Sequence, residues 1–183
     1  MKSMEIFYVT SNEGKFLEAK AMLPELKKLT LELEEMQSLD PLKIAKQKAL
    51  TATKKTENKS LIVDDVYLYL EALDYKLPGP LIKWFLLSIG SKGISDIAER
   101  FNKYGAVAVC TLCYIDSKGK SKIFTGEVKG KIVKAANNSN KSWDYVFLPN
   151  GNEKTFAEMS SYEKNLISHR GLAIKKLRKY LGI

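Results

Sequence analysis

Histidine occurs once in these 183 residues and cysteine twice, at Cys110 and Cys113. So small a set supplies neither the ligands of a zinc finger nor a disulfide framework. The CxxC spacing lies in Val107-Ala108-Val109-Cys110-Thr111-Leu112-Cys113-Tyr114-Ile115, which reads as a buried strand. Residues three apart in a strand face opposite ways, so the two thiols do not converge. Two buried thiols without disulfides suit a reducing cytoplasm, the expected location. The longest mostly apolar stretch, Ala106 to Ile115, falls far short of the ~18–20 residues that cross a bilayer. No signal-peptide core follows Met1-Lys2-Ser3-Met4-Glu5, and no membrane partner is expected. Internal repeats, low-complexity segments and a GxxxxGK[ST] phosphate loop are also missing.

What is present is globular: 45% hydrophobic and 28% charged residues. Lys and Arg number 30 against 21 Asp and Glu, a formal charge of +9 that favours anionic partners. The length suits one domain, or two small lobes around a shared cleft.

Ile6 to Val9 reads as a strand, Lys15 to Leu23 as a helix ended by Pro24, and Leu29 to Leu33 as a second strand. Ile44 to Thr53 is helical, with Ile44, Ala45, Ala49 and Ala52 on one face. Leu61-Ile62-Val63 is a buried strand ending at Asp64-Asp65. After the Pro78-Gly79-Pro80 turn, Leu81 to Ile89 is expected to bury Leu81, Trp84, Phe85 and Ile89. Ser95 to Phe101 is a further helix. Ala106 to Ile115 and Lys122 to Gly126 form a hairpin around Asp116-Ser117-Lys118-Gly119, with Lys129 to Val133 a separate strand. Asn137 to Ser142 is a polar loop, Tyr145 to Leu148 a strand, and Ser168 to Tyr180 a final helix with Ala173, Leu177 and Leu181 inward. The interleaving predicts an α/β fold with a mixed sheet.

Three constellations carry chemistry. Thr10-Ser11-Asn12-Glu13-Gly14-Lys15 joins a strand to a helix start, where backbone N–H groups and an ammonium favour an anion. The same segment also reads as an ordinary capped helix, with Ser11 or Asn12 as cap. Asp64-Asp65 places two carboxylates at a strand end, which suits a magnesium ion shared with phosphate oxygens or a solvated turn. Thr155-Phe156-Ala157-Glu158-Met159, Glu163-Lys164-Asn165 and Ser168-His169-Arg170 bring Lys164, His169 and Arg170 close as donors.

Together these segments resemble the inosine triphosphate pyrophosphatase family, also called the non-standard purine NTP pyrophosphatases. Thr10-Ser11-Asn12-x-x-Lys15 resembles its phosphate loop, Val63-Asp64-Asp65 with Glu71-Ala72-Leu73 its acidic strand, and Leu77-Pro78-Gly79-Pro80-Leu81-Ile82-Lys83-Trp84-Phe85 its eukaryotic and archaeal branch. The run from Thr155 to Arg170 resembles its C-terminal signature. The matches run in family order from residue 6 to about 177. The resemblance implies a single domain over 1–183, with an elongated mixed sheet flanked by helices and two lobes around a substrate cleft. It implies Mg²⁺-dependent hydrolysis of inosine, deoxyinosine and xanthosine triphosphates to a monophosphate and pyrophosphate by a homodimer.

By the same resemblance, Thr10, Ser11, Asn12, Lys15 and Lys48 bind the triphosphate, with Lys46 an alternative to Lys48. Glu35, Asp64 and Asp65 hold metal, and Asp65 is the general base. Lys83 contacts substrate, and Trp143, Asp144, Lys164, His169 and Arg170 form the base-reading wall. The chain departs from the family pattern at Val66-Tyr67, where Ser or Thr is usual, and at Lys141-Ser142, where an aromatic residue and Gly are usual. These departures keep open a related enzyme with another base preference. A nucleic-acid-binding domain, prompted by Lys175-Lys176-Leu177-Arg178-Lys179, lacks any matching signature and is not the expected function.

Overall fold

The computed structural model describes residues 5–34, 36–56 and 59–183. Strand β1 (Ile6–Val9) lies between two parallel neighbours, β2 (Leu26–Leu29) and β3 (Ser60–Leu70). Strands β5 (Gly105–Ile115), β6 (Ser121–Ile132) and β7 (Phe147–Pro149) continue the sheet in the order β2-β1-β3-β5-β6-β7. The two-residue β4 (Pro78–Gly79) pairs antiparallel with β3. Among the described residues five helices flank this mixed sheet: α1 (Glu13–Met22), α2 (Pro41–Lys55), α3 (Ile82–Phe101), α4 (Ser161–Ile167) and α5 (His169–Leu181). The α/β class expected from the sequence is the class observed. None of the described helices is long and apolar enough to cross a membrane.

The chain divides into two compact units. The described residues of Met1–Asp65, Cys110–Gly126 and Arg170–Ile183 form the first; Val66–Val109 and Glu127–His169 form the second. The first packs Val9, Leu61, Val63, Cys113 and Ile115 against Ala49 and Ala52 of α2, the face its periodicity predicts. The second packs Leu68, Leu70, Ile82, Leu86, Ile94, Phe147 and Phe156. Cys110 and Cys113 are both buried and unbridged, as the strand reading requires.

Several boundaries differ from expectation. The second strand is Leu26–Leu29 rather than Leu29 to Leu33, because its partner β1 is only four residues long. Leu31 and Leu33 still turn toward the first core. β3 does not stop at Asp64-Asp65 but runs on to Leu70, paired at Leu68 and Tyr69 with β4. Lys129 to Val133 adds no new strand, since β6 runs unbroken to Ile132.

Helix α3 buries Ile82 and Leu86, while Trp84 and Ile89 are 50% and 41% exposed. Two apolar stripes satisfy the helical period here, and packing selects the slimmer aliphatic one. The helix breaks at Gly90, whose φ of 68° and ψ of −177° are not helical. A side chain at Gly90 would sit 2.2 Å from Asn138 Oδ1, so glycine is required for both conformation and space. Helix α4 was not anticipated; Ser160 and Glu163 form a capping box at its start.

Candidate active site

In the first unit, the end of β1 leads into a pre-shaped turn. The Asn12 N–H donates to Thr10 Oγ1 at 3.1 Å, and Asn12 Oδ1 accepts from the Lys15 N–H at 3.0 Å. Asn12 therefore caps α1, and Ser11 is exposed beside it. The cap leaves the Lys15 side chain aimed at β3. Lys15 Nζ stands 3.3 Å from Asp64 Oδ1. Lys48, on α2, donates to the Asp64 carbonyl at 3.1 Å and lies 4.0 Å from Asp65 Oδ1. Arg170, at the start of α5, donates from Nε to Asp64 Oδ2 at 3.1 Å and from Nη1 to Glu18 of α1.

Asp64 is 3% exposed, and a buried carboxylate is costly unless paired. Burial pushes its pKa up, but Lys15, Arg170 and Lys48 together hold it well below the usual carboxylate range. The same carboxylate sets its neighbours. Burial, then the Asp64 charge, drives the Tyr8 phenol and the Cys110 thiol upward; Cys110 Sγ is 3.8 Å from Asp64 Oδ2. Burial alone pushes the Cys113 thiol up to about 11. Arg170 is disfavoured by burial but raised further by Asp64, so it stays charged.

This geometry separates the two acidic residues. Both Asp64 oxygens face cations, Lys15 at Oδ1 and Arg170 at Oδ2. Asp65 lies half-buried on the opposite side of the strand. No cluster of three or more His, Cys, Asp or Glu side chains occurs among the described residues. Mg²⁺ does not need one, since one or two carboxylates and phosphate oxygens suffice, and Asp65 fits that requirement. Glu35 lies outside the described residues.

In the second unit, Lys164 of α4 donates to Asp144 Oδ2 at 2.6 Å. The His169 ring is buried against Trp143 and Phe156, with centroids 5.3 and 5.8 Å away. Trp143 also meets Phe147 edge-on at 5.5 Å. The Thr155-to-Glu163 motif largely builds this support. Glu158 accepts from both the Thr155 N–H and its hydroxyl at 2.8 Å. Glu163 accepts from the Ser160 N–H and from Lys154, which holds its carboxyl down to about 2. Lys83 stands exposed on the first turn of α3, its ammonium 5.7 Å from the Trp84 ring centre.

The structure thus gathers Lys15, Lys48, Asp64, Asp65 and Arg170 in one unit, and Trp143, Asp144, Lys164 and His169 in the other. Arg170, expected in the base-reading wall, is grouped with the first unit. Its guanidinium engages two carboxylates, Asp64 and Glu18. Glu18 was missed, although it lies three residues beyond Lys15 and so on the same face of α1.

Residues 6–180 match the model of the Ham1 family. The chain is 39% identical to the inosine triphosphate pyrophosphatase of Yarrowia lipolytica, over 98% of this chain and 96% of that one. It is 36% identical to the protein of the same name from Saccharomyces cerevisiae, over 99% and 98%. Its fold superposes on the structure of the Staphylococcus aureus Ham1 protein with a TM-score of 0.77, at 26% identity and 97% coverage of both chains.

Proposed function

Because the chain belongs to the Ham1 family, we propose that it hydrolyses purine nucleoside triphosphates carrying a non-standard base, releasing pyrophosphate. The observation that carries this reading is the acidic pair of β3, held against Lys15 and Lys48 beside the capped turn at Thr10-Ser11-Asn12. A phosphate bound there meets the N-terminus of α1 and two ammonium groups.

Charge balance supports a metal. Lys15, Lys48 and Arg170 are matched in number by Asp64, Asp65 and Glu18. A triphosphate adds further negative charge, which a hard divalent cation offsets. Asp65 and Glu35 would hold Mg²⁺ with phosphate oxygens, and the ion would neutralise charge developing there. Lys15 Nζ, at 3.3 Å from Asp64, is farther than the ~2.7–2.9 Å of a tight charged pair, so a phosphate oxygen can compete for it. Lys48 steadies the strand at Asp64 and approaches Asp65. Asp65 orients a water and takes its proton as the oxygen attacks the α-phosphorus. The bond from the α-phosphorus to the bridging oxygen breaks, giving a nucleoside monophosphate and pyrophosphate. Arg170 serves by holding Asp64 and Glu18 in place.

In the second unit, Lys164 and His169 are the donors for a 6-oxo purine, with Asp144 and Trp143 orienting them. An adenine amino group would meet donors instead of acceptors, a mismatch that polar sites reject strongly. Lys83 is assigned to substrate contact. The substrates are inosine, deoxyinosine and xanthosine triphosphates. We extend the reading to a single cytoplasmic domain spanning 1–183 that pairs as a homodimer. The match over residues 6–180, the two free thiols, and exposed Trp84, Leu87 and Ile89 on α3 support these points respectively. Product analysis tests the chemistry: inosine triphosphate with Mg²⁺ gives inosine monophosphate and pyrophosphate, whereas diphosphate and orthophosphate would sink the reading.

A further inference from the structure

The polar loop between β6 and β7 has no regular secondary structure, yet its side chains are systematically engaged. It is fastened first to the break in α3. The Ser91 N–H donates to the Ser139 carbonyl at 2.8 Å, and the Ser139 N–H returns to Ser91 Oγ at 2.9 Å. The Ser91 hydroxyl donates to the Asn137 carbonyl at 3.2 Å. Asn138 Oδ1 accepts from the Lys92 N–H at 3.1 Å, capping the second half of α3. The chain of bonds then continues toward the second unit's polar pair. Ser139 Oγ accepts from the N–H groups of Lys141 and Ser142, each at 3.2 Å. Ser142 Oγ accepts from the Asp144 N–H at 3.1 Å, and the Asp144 carboxylate accepts from Lys164 at 2.6 Å.

Resting on the reading that Asp144 and Lys164 face the base, we infer that Ser91, Ser139 and Ser142 form a ladder that positions Asp144. Ser142 is the rung that tunes base discrimination. Ser142 is only half-buried and contributes nothing to the apolar core, so its contact with Asp144 is the feature that distinguishes it. Its hydroxyl gives the Asp144 N–H a local acceptor, the turn-forming habit of serine. Removing that oxygen takes the acceptor from the Asp144 N–H, leaves the backbone there held by its carbonyl's bond from the Ala157 N–H at 3.2 Å, and loosens the carboxylate holding Lys164. The Lys141-Ser142 step, one of the two departures from the family pattern, therefore carries this device.

Ser142→Ala and Ser142→Thr in the full chain test the assignment, because threonine keeps the hydroxyl. Two readouts are taken: kcat and KM for inosine and adenosine triphosphates with Mg²⁺, and amide hydrogen exchange at Asp144 without substrate. Ser142→Ala is expected to raise KM for inosine triphosphate about three- to tenfold, with kcat little changed and the inosine-over-adenosine ratio reduced by a similar factor. Exchange at Asp144 accelerates, and Ser142→Thr restores both. Unchanged exchange in Ser142→Ala would overturn the ladder whatever the activity shows. Faster exchange with unaltered KM and base ratio would overturn the tuning role. A wild-type enzyme with no inosine preference would overturn the base-reading premise instead, and the exchange readout tells the two failures apart.

Discussion

Arg170 Nε lies 3.1 Å from Asp64 Oδ2, tying the first turn of the last helix to the acidic pair of a central strand. Both groups are buried, and each keeps the other's charge tolerable. Asp64→Asn removes one partner and leaves Arg170 and Lys15 facing a neutral amide. Breaking such a pair costs about 3–5 kcal/mol, which lowers the melting temperature by about 10 °C in a chain of this size. Calorimetry of the variant checks this.

The same pair sets an acid limit on stability. Asp64 has a folded pKa below its unfolded value near ~3.9, so its contribution is present above that value and is lost as pH falls toward the folded one. Urea midpoints of the wild type should therefore drop on acidification below the ordinary carboxylate range. Asp64→Asn should show a shallower drop over the same interval. Parallel pH profiles would contradict the assignment.

Asp65 differs from Asp64 in facing Lys48 at 4.0 Å without being enclosed by it. Asp65→Asn is expected to reduce kcat by about 10²- to 10⁴-fold, with folding intact by circular dichroism. Chelation of divalent ions should abolish wild-type turnover, and added Mg²⁺ should restore it. Near-normal turnover by Asp65→Asn would remove it from the base role.

Gly90 breaks α3 with a positive φ and leaves no space for a side chain beside Asn138. Gly90→Ala should destabilise the protein by about 2–3 kcal/mol through backbone strain and displacement of that cap. Denaturant unfolding measures it.

Much of this architecture was legible in sequence, and most of what was not depends on residues remote in the chain. The Ile6–Val9 strand, a cap at Ser11 or Asn12, the α2 stripe and the β5–β6 turn follow from neighbouring residues alone. The extension of β3 past Asp64-Asp65 depends on β4, and the buried face of α3 depends on what packs there. Helix α4 was legible in principle, through Ser160 and Glu163 three residues apart. In the site, Lys15 stood out because phosphate chemistry favours a cation near a helix start, whereas Lys48 came only from the family resemblance. The Glu18–Arg170 contact and the ladder from Ser91 to Asp144 join residues remote in sequence, and no local pattern announces them.

His169 is buried against Trp143 and Phe156 and is the residue proposed to read the purine oxygen. His169→Ala should lower kcat/KM for inosine triphosphate by about 10- to 100-fold, the worth of a hydrogen bond in such a site, while adenosine triphosphate changes little. Steady-state kinetics on both substrates decides it.

The most direct test of the central claim is a panel of purine and pyrimidine triphosphates assayed with Mg²⁺ for pyrophosphate release, compared by kcat/KM. The account predicts that inosine, deoxyinosine and xanthosine triphosphates lead, with adenosine and pyrimidine triphosphates far behind. Equal turnover across the panel, or a preference for a pyrimidine, would contradict it.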